Sequence, residues 1–251
     1  MPDVIEPATA AILIFASFFT SATTASFGLG GGVMLLAMMS QFMPVAALIP
    51  VHGLIQLGSN TGRAWVQRKH VRLDIMQPFL IGSIIGAVVG GYTMVQLPEA
   101  AMKIVLGLFI IYITWGKIPG LERLSAPAFA AASAMIACLT MFLGAMGPLV
   151  VALFGALIPN DRKALVATSA MATTVHHLLK VLIFGLIGFS FRQWLPLIIA
   201  MIATGYLGTV LGSALLNRIP EKAFRIAFRI VLSALALDLL RQGYLAFQPK
   251  A

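Results

Sequence analysis

The stretch FGLGGGVM, residues 27–34, puts four glycines into five consecutive positions of a run without charge. Glycine is the costliest ordinary residue in a helix interior. A helix in lipid also satisfies its backbone polar groups from within. Such a cluster therefore marks a break in an otherwise apolar helix. A reduced copy, LGAMGPLV, stands at residues 143–150.

The surrounding composition sets the class. Of 251 residues, 60% are apolar and only 10% charged. No Asp, Glu, Lys or Arg occurs across 75–98, 124–160 or 193–217, and Arg63 alone interrupts 7–65. Each run reaches or exceeds the ~20 residues that cross a bilayer core. A solvated globule is excluded, and the chain reads as an all-α polytopic membrane protein. The single cysteine, Cys138, rules out an intrachain disulfide. The start, MPDVIEPA, carries acids and no basic segment, so a cleaved signal peptide is not expected. The net charge of +9 comes from Lys and Arg between apolar segments, where topology explains it. No arginine-rich arm or aromatic-interleaved basic stretch suggests nucleic acid.

The two halves resemble each other. GAVVGGYTMVQLPEAAMKIVLGLFIIY (86–112) aligns with GYLGTVLGSALLNRIPEKAFRIAFRIV (205–231). Gly90 falls on Gly212, Pro98 on Pro220, Glu99 on Glu221 and Lys103 on Arg225, at one constant offset. Gly28 and Gly31 fall on Gly144 and Gly147 at a second. Between them, ALIPVHGLIQLGSNTGR (47–63) lies over ALVATSAMATTVHHLLK (164–180) in a softer register. The expected plan is a first repeat over 1–120, with a hairpin at 8–43 and helices at 45–66, 75–97 and 100–117. The second repeat covers 121–251, with a hairpin at 127–159 and helices at 163–187, 193–216 and 221–245.

One helix over 8–43 would be ~54 Å long, too long for a ~30 Å core, so a re-entrant hairpin fits better. A hairpin plus three crossings makes each half odd, and the second repeat is then inverted. With the N-terminus outside, the basic cluster at 63–72, Lys117, Arg123, Arg162, Lys163 and the cluster at 218–225 face the cytoplasm. Only Lys103, Arg192, Arg241 and Lys250 face outward, as the positive-inside rule prefers.

Irregular backbone at membrane depth lines a cavity or is buried in protein, and inverted-repeat transporters bind substrate at such breaks. Helix N-termini there suit anions. The candidate tip residues are Gly30, Gly31 and Gly32 in one copy and Met146 and Gly147 in the other. The competing explanation, close helix packing by small residues, is weaker for a duplicated cluster than for one glycine. His52, Gln56, Asn60 and Arg63 form a polar stripe at helical spacing, and Thr173, His176, His177 and Lys180 form its counterpart. Interhelical hydrogen bonding and snorkelling of Arg63 or Lys180 are the alternatives to substrate lining. Asp238 lies near a helix end, with Arg241 close by. The mid-helix inventory is thus cationic and neutral-polar, which suits an anion that brings the negative charge.

GLGGG, the basic loop RKHVRLD, the helix GSIIGAVVGG and the continuation LPEAAMKIVLGLFIIY occur in an order that resembles the sulfite exporter TauE/SafE family. The resemblance implies movement of sulfur-containing anions across the inner membrane.

The resulting expectation is a multi-pass carrier of sulfite, thiosulfate or organosulfonates in the bacterial inner membrane, working by alternating access at a midplane site. It is no enzyme and uses no metal or cofactor; its partners are a small anion and the lipid bilayer. A homodimer is one assembly the sequence allows. The rival readings are an anion channel and a carrier of non-sulfur organic anions. His titration is a candidate link to protons, because imidazole is the group here whose ordinary pKa lies near neutrality.

Overall fold

A computed structural model describes residues 5–27, 30–94, 98–116, 125–158, 160–216 and 221–247. Helix dominates, and no strand occurs among the described residues. In chain order the helices are α1 (Pro7–Phe27), α2 (Gly31–Met39), α3 (Val45–Gln67), α4 (Leu73–Met94) and α5 (Glu99–Trp115). The second half supplies α6 (Ala126–Leu143), α7 (Gly147–Leu157), α8 (Arg162–Leu186), α9 (Leu195–Leu216) and α10 (Glu221–Phe247). Short 3₁₀ turns at Arg68–His70 and Arg192–Trp194 precede α4 and α9.

Six helices, α1, α4, α6, α8, α9 and α10, contain stretches long and apolar enough to cross a membrane. Of the others, α3 has the length but carries Gln56, Asn60 and Arg63, and α5 has 17 residues. The helices after each glycine cluster are much shorter, with 9 residues in α2 and 11 in α7. At ~1.5 Å per residue neither could span a ~30 Å core alone.

The chain forms two compact units, and each draws on both halves of the sequence. One comprises residues 1–52, 96–117 and 191–251; the other comprises 53–95 and 118–190. The boundary at His52 and Gly53 falls inside α3.

In the first unit, α1 packs along α9, and α5 packs along α10. A Cβ added to Gly208 would overlap the Phe18 carbonyl oxygen. One turn earlier on α9, the Thr204 hydroxyl is shared between the Ile14 carbonyl at 3.0 Å and the Ala200 carbonyl of its own helix at 2.9 Å. The Ser17 hydroxyl answers from α1, donating to the Met201 carbonyl at 2.6 Å. The start of α2 lies equally close to α1, because a Cβ on Gly31 would overlap Thr20 O and Thr24 Oγ1. At the far end of α2, Gln41 donates to the Leu235 carbonyl, at 3.3 Å. Asp238 on α10 is paired with Arg241 at 2.7 Å and accepts from Gln242 Nε2 at 2.7 Å.

In the second unit, α4 packs along α6. A Cβ at Gly82 would overlap the Ala130 carbonyl oxygen, and one at Gly86 would overlap that of Ala134. The offsets that relate the two halves carry Gly86 and Ala134 onto Gly208 and Phe18. They likewise carry Gly82 and Ala130 onto Thr204 and Ile14. The same two points of contact are thus made once in each unit. Short side chains let membrane helices approach this closely and gain dispersion contacts. Phe154 on α7 meets Phe129 near the start of α6 edge-on at 5.6 Å, so α7 runs back along α6. Phe79 of α4 closes this aromatic group, 5.2 Å from Phe154.

The α4–α6 seam has no slack. Gly86→Ala is expected to destabilise the protein by about 1–3 kcal/mol, the range for overpacking a tight contact. Gly62→Ala is the control, because a Cβ there meets nothing within 4 Å. Melting of the detergent-purified variants should separate them, with a lower midpoint for Gly86→Ala only.

Candidate functional site

Both breaks are built on a glycine in a backbone conformation closed to most residues. Gly30, which precedes α2, has φ 98°, and Gly144, which ends α6, has φ 77°. Between Gly144 and α7, Ala145 N–H bonds back to the Leu143 carbonyl at 2.9 Å. The two breaks belong to different compact units, and their surroundings differ.

At the first break the initial helical bond of α2 runs from Met34 N–H to the Gly30 carbonyl, at 2.9 Å. Gly31, Gly32 and Val33 precede that bond, in the part of a helix whose N–H groups have no intrahelical acceptor. His52, fully buried on α3, sits against this turn with Nε2 2.9 Å from the Gly32 carbonyl oxygen. Because a carbonyl only accepts, Nε2 carries the proton and donates. His52 thereby ties α3 to the start of α2. Gly31 has a steric task, since its bare Cα lies against Thr20 and Thr24.

The second break is poorer in N–H groups. Pro148 has none, and Leu149 N–H is bonded to the Met146 carbonyl at 3.0 Å. Met146 is buried and caps α7. Gly147, which the repeat aligns with Gly31, faces open space: a Cβ there would meet nothing within 4 Å.

What this break has instead is Lys180. Its side chain is completely buried on α8, and Nζ donates to the Gly144 carbonyl at 2.6 Å. The stem lies in a notch left by Gly53, where a Cβ would fall 2.6 Å from Lys180 Cδ. The three ion pairs among the described residues join Arg72 to Asp74, Lys103 to Glu99 and Arg241 to Asp238. None involves Lys180. A buried ammonium with three donors therefore makes one hydrogen bond among the described residues, to a neutral carbonyl.

The rest of the α8 stripe is divided between packing and lining. His176 is buried, stacks on Phe79 at 4.9 Å and shares a 3.0 Å hydrogen bond with Ser83 of α4. It joins two helices and has an aromatic neighbour over its face. His177, next along the chain, is also buried. Thr173, half-buried, spends its hydroxyl on the Ser169 carbonyl of its own helix at 2.7 Å. On α3, Asn60 Nδ2 donates to the Gln56 carbonyl at 2.7 Å, while Gln56 itself is half-buried. The side chain of Arg63 lies outside the described residues. The structure thus brings Lys180 to Gly144 in one unit and His52 to Gly32 in the other.

Sequence reasoning missed Ser169. Its hydroxyl is the one buried side-chain O–H among the described residues with no hydrogen-bond partner. Other hydroxyls on these helices, including those of Thr20, Ser133, Thr140 and Thr174, bond back to a carbonyl of their own helix. Ser169 stands three turns before Lys180 on the same face of α8. The repeat register pairs it with His52, a signal that was present in the sequence. Ser83 and Gly53 had no such signal, because their roles depend on neighbours far along the chain.

No solved structure matches this chain. A curated relative, the "Probable inner membrane transporter protein TsaS" of Comamonas testosteroni, is 24% identical over 179 residues. That alignment covers 68% of this chain and 73% of the relative. The family model described as "Sulfite exporter TauE/SafE" matches residues 13–239, nearly the whole helical body. With its long apolar helices and paired glycine breaks, the chain is a multi-pass inner-membrane transporter and belongs to the sulfite exporter TauE/SafE family.

Proposed function

We propose that this transporter moves small sulfur-containing oxyanions, namely sulfite, thiosulfate or organosulfonates, by alternating access. Lys180 supplies the principal positive contact. The observation that carries this reading is the buried Lys180 ammonium at a helix break, bonded to one carbonyl and paired with no carboxylate among the described residues. Removing such a charge from water is costly unless a partner compensates it. A tetrahedral or pyramidal oxyanion supplies both the charge and the acceptors. Gly147, whose Cα faces open space beside the same break, leaves room for that anion to approach the backbone. The N–H groups that open α2 supply donors of the same kind in the other unit. Two inverted repeats, with each glycine hairpin re-entrant and the N-terminus outside, form the topology we propose from the charge pattern.

The test is a binding and flux screen on the purified full chain. Sulfite, thiosulfate, taurine-like sulfonates, sulfate and carboxylates are compared by calorimetry and by counterflow in liposomes. Sulfur oxyanions are expected to bind more tightly than carboxylates and to show counterflow. Equal binding of carboxylates would move the assignment to organic anions. Saturable binding with flux but no counterflow would mark a channel.

A further inference from the structure

We propose that the Lys180 ammonium is a tethered counter-cation, filling the carbonyl end of α6 where a mobile inorganic cation would otherwise bind, so that anion movement requires no sodium. This rests on the oxyanion reading above and adds the question of what neutralises the site.

The end of α6 is a cation site by construction. The last carbonyls of a helix lack intrahelical donors and carry the negative end of its dipole. Here two are satisfied by backbone: Thr140 O accepts from Gly144 N–H at 3.0 Å, and Leu143 O from Ala145 N–H at 2.9 Å. The carbonyl of Gly144, turned by the positive φ of that residue, takes Lys180 Nζ at 2.6 Å. Broken helices in transporters commonly present such carbonyls to sodium or a proton. In this protein a side chain fills the position.

The placement is prepared. A lysine is long enough to reach Gly144 from α8 only if its stem can lie flat, and the missing side chain of Gly53 provides that groove. Burial of the whole side chain leaves no route by which it snorkels to water. The single bond to Gly144 leaves two N–H donors of the ammonium for the anion. The cation can therefore face the helix end and the substrate at once, as a bound sodium ion would.

The test is sulfite uptake by the full-length protein in liposomes, with sodium on both sides or replaced throughout by choline. Wild-type flux is expected to be the same in both media. For Lys180→Ala, flux in choline should fall at least roughly tenfold, as when one side of a buried charged contact is removed. Sodium or propylammonium should then restore it severalfold. In parallel, sodium should raise the melting temperature of detergent-purified Lys180→Ala and leave that of wild type unchanged.

Wild-type flux that collapses in choline would overturn the proposal. So would a Lys180→Ala protein whose flux and melting ignore both sodium and the amine. If wild type moves no sulfite in either medium, the substrate reading has failed, and the melting comparison alone decides whether the helix end needs a cation. If Lys180→Ala does not fold, the sodium response of wild-type flux decides it.

Discussion

Replacing Lys180 with methionine is expected to leave the protein folded while reducing oxyanion flux about 100-fold, the loss for removing one partner of a buried charged hydrogen bond. The two halves of this expectation have different origins. Methionine fills nearly the volume of the lysine stem and lies as readily in the Gly53 groove. It gives up one hydrogen bond to Gly144 but no longer buries a charge. Exchanging buried charges for apolar groups of similar shape is commonly neutral or stabilising. Melting should therefore stay level or rise. The substrate, in contrast, loses the ammonium that offsets its charge. A lysine serving only to hold α8 against the α6–α7 break would give the reverse result, with a lower midpoint and ordinary flux per folded molecule.

The second large effect separates two glycines that the repeat makes equivalent. Gly31→Val is expected to prevent accumulation of folded protein, because its side chain would run into Thr20 O and Thr24 Oγ1. Neither the carbonyl nor the helix that bears it can give way cheaply. Overpacking a tight contact costs about 1–3 kcal/mol and occasionally more, and the branched side chain is the unfavourable case. Gly147→Val meets open space instead. It should fold, elute from size exclusion as wild type does, and lose flux, since the added methyl groups occupy the approach to the second break. A folded and active Gly31→Val protein would refute the steric role of Gly31, and an active Gly147→Val protein would remove Gly147 from the site.

That pair also shows how far the sequence could be read. Charge-free runs longer than a bilayer core made the helical membrane class plain, and the glycine clusters marked the breaks. The structure places them at Gly30 and Gly144. Lys180 could be singled out because a cation among apolar neighbours needs a reason. The division of labour among the marked residues was not legible. Gly31 and Gly147 look alike in one dimension, and only the neighbour opposite each Cα tells a contact from an opening. His176 stands out in the sequence as a candidate ligand, but nothing there announces Ser83, 93 positions earlier, which shares its Nε2. The compact units were hidden for the same reason. Small residues bring α1 against α9 and α4 against α6, although each pair comes from opposite halves of the chain.

Those two seams set side by side positions that the alignment of the two halves pairs. At one contact the solution is the same, since Gly86 and Gly208 each lie bare against a carbonyl. At the next the two differ. One copy has Gly82 against Ala130, and the other has Thr204, whose hydroxyl bonds the Ile14 carbonyl in the corresponding place. At Thr204 a side chain stands where the other seam has none, and its hydroxyl is shared between the oxygen it approaches and the Ala200 carbonyl of its own helix. Every replacement at Gly82 brings the overlapping Cβ, but of two branched ones threonine should be less harmful than the isosteric valine, because only threonine carries a donor for the Ala130 oxygen.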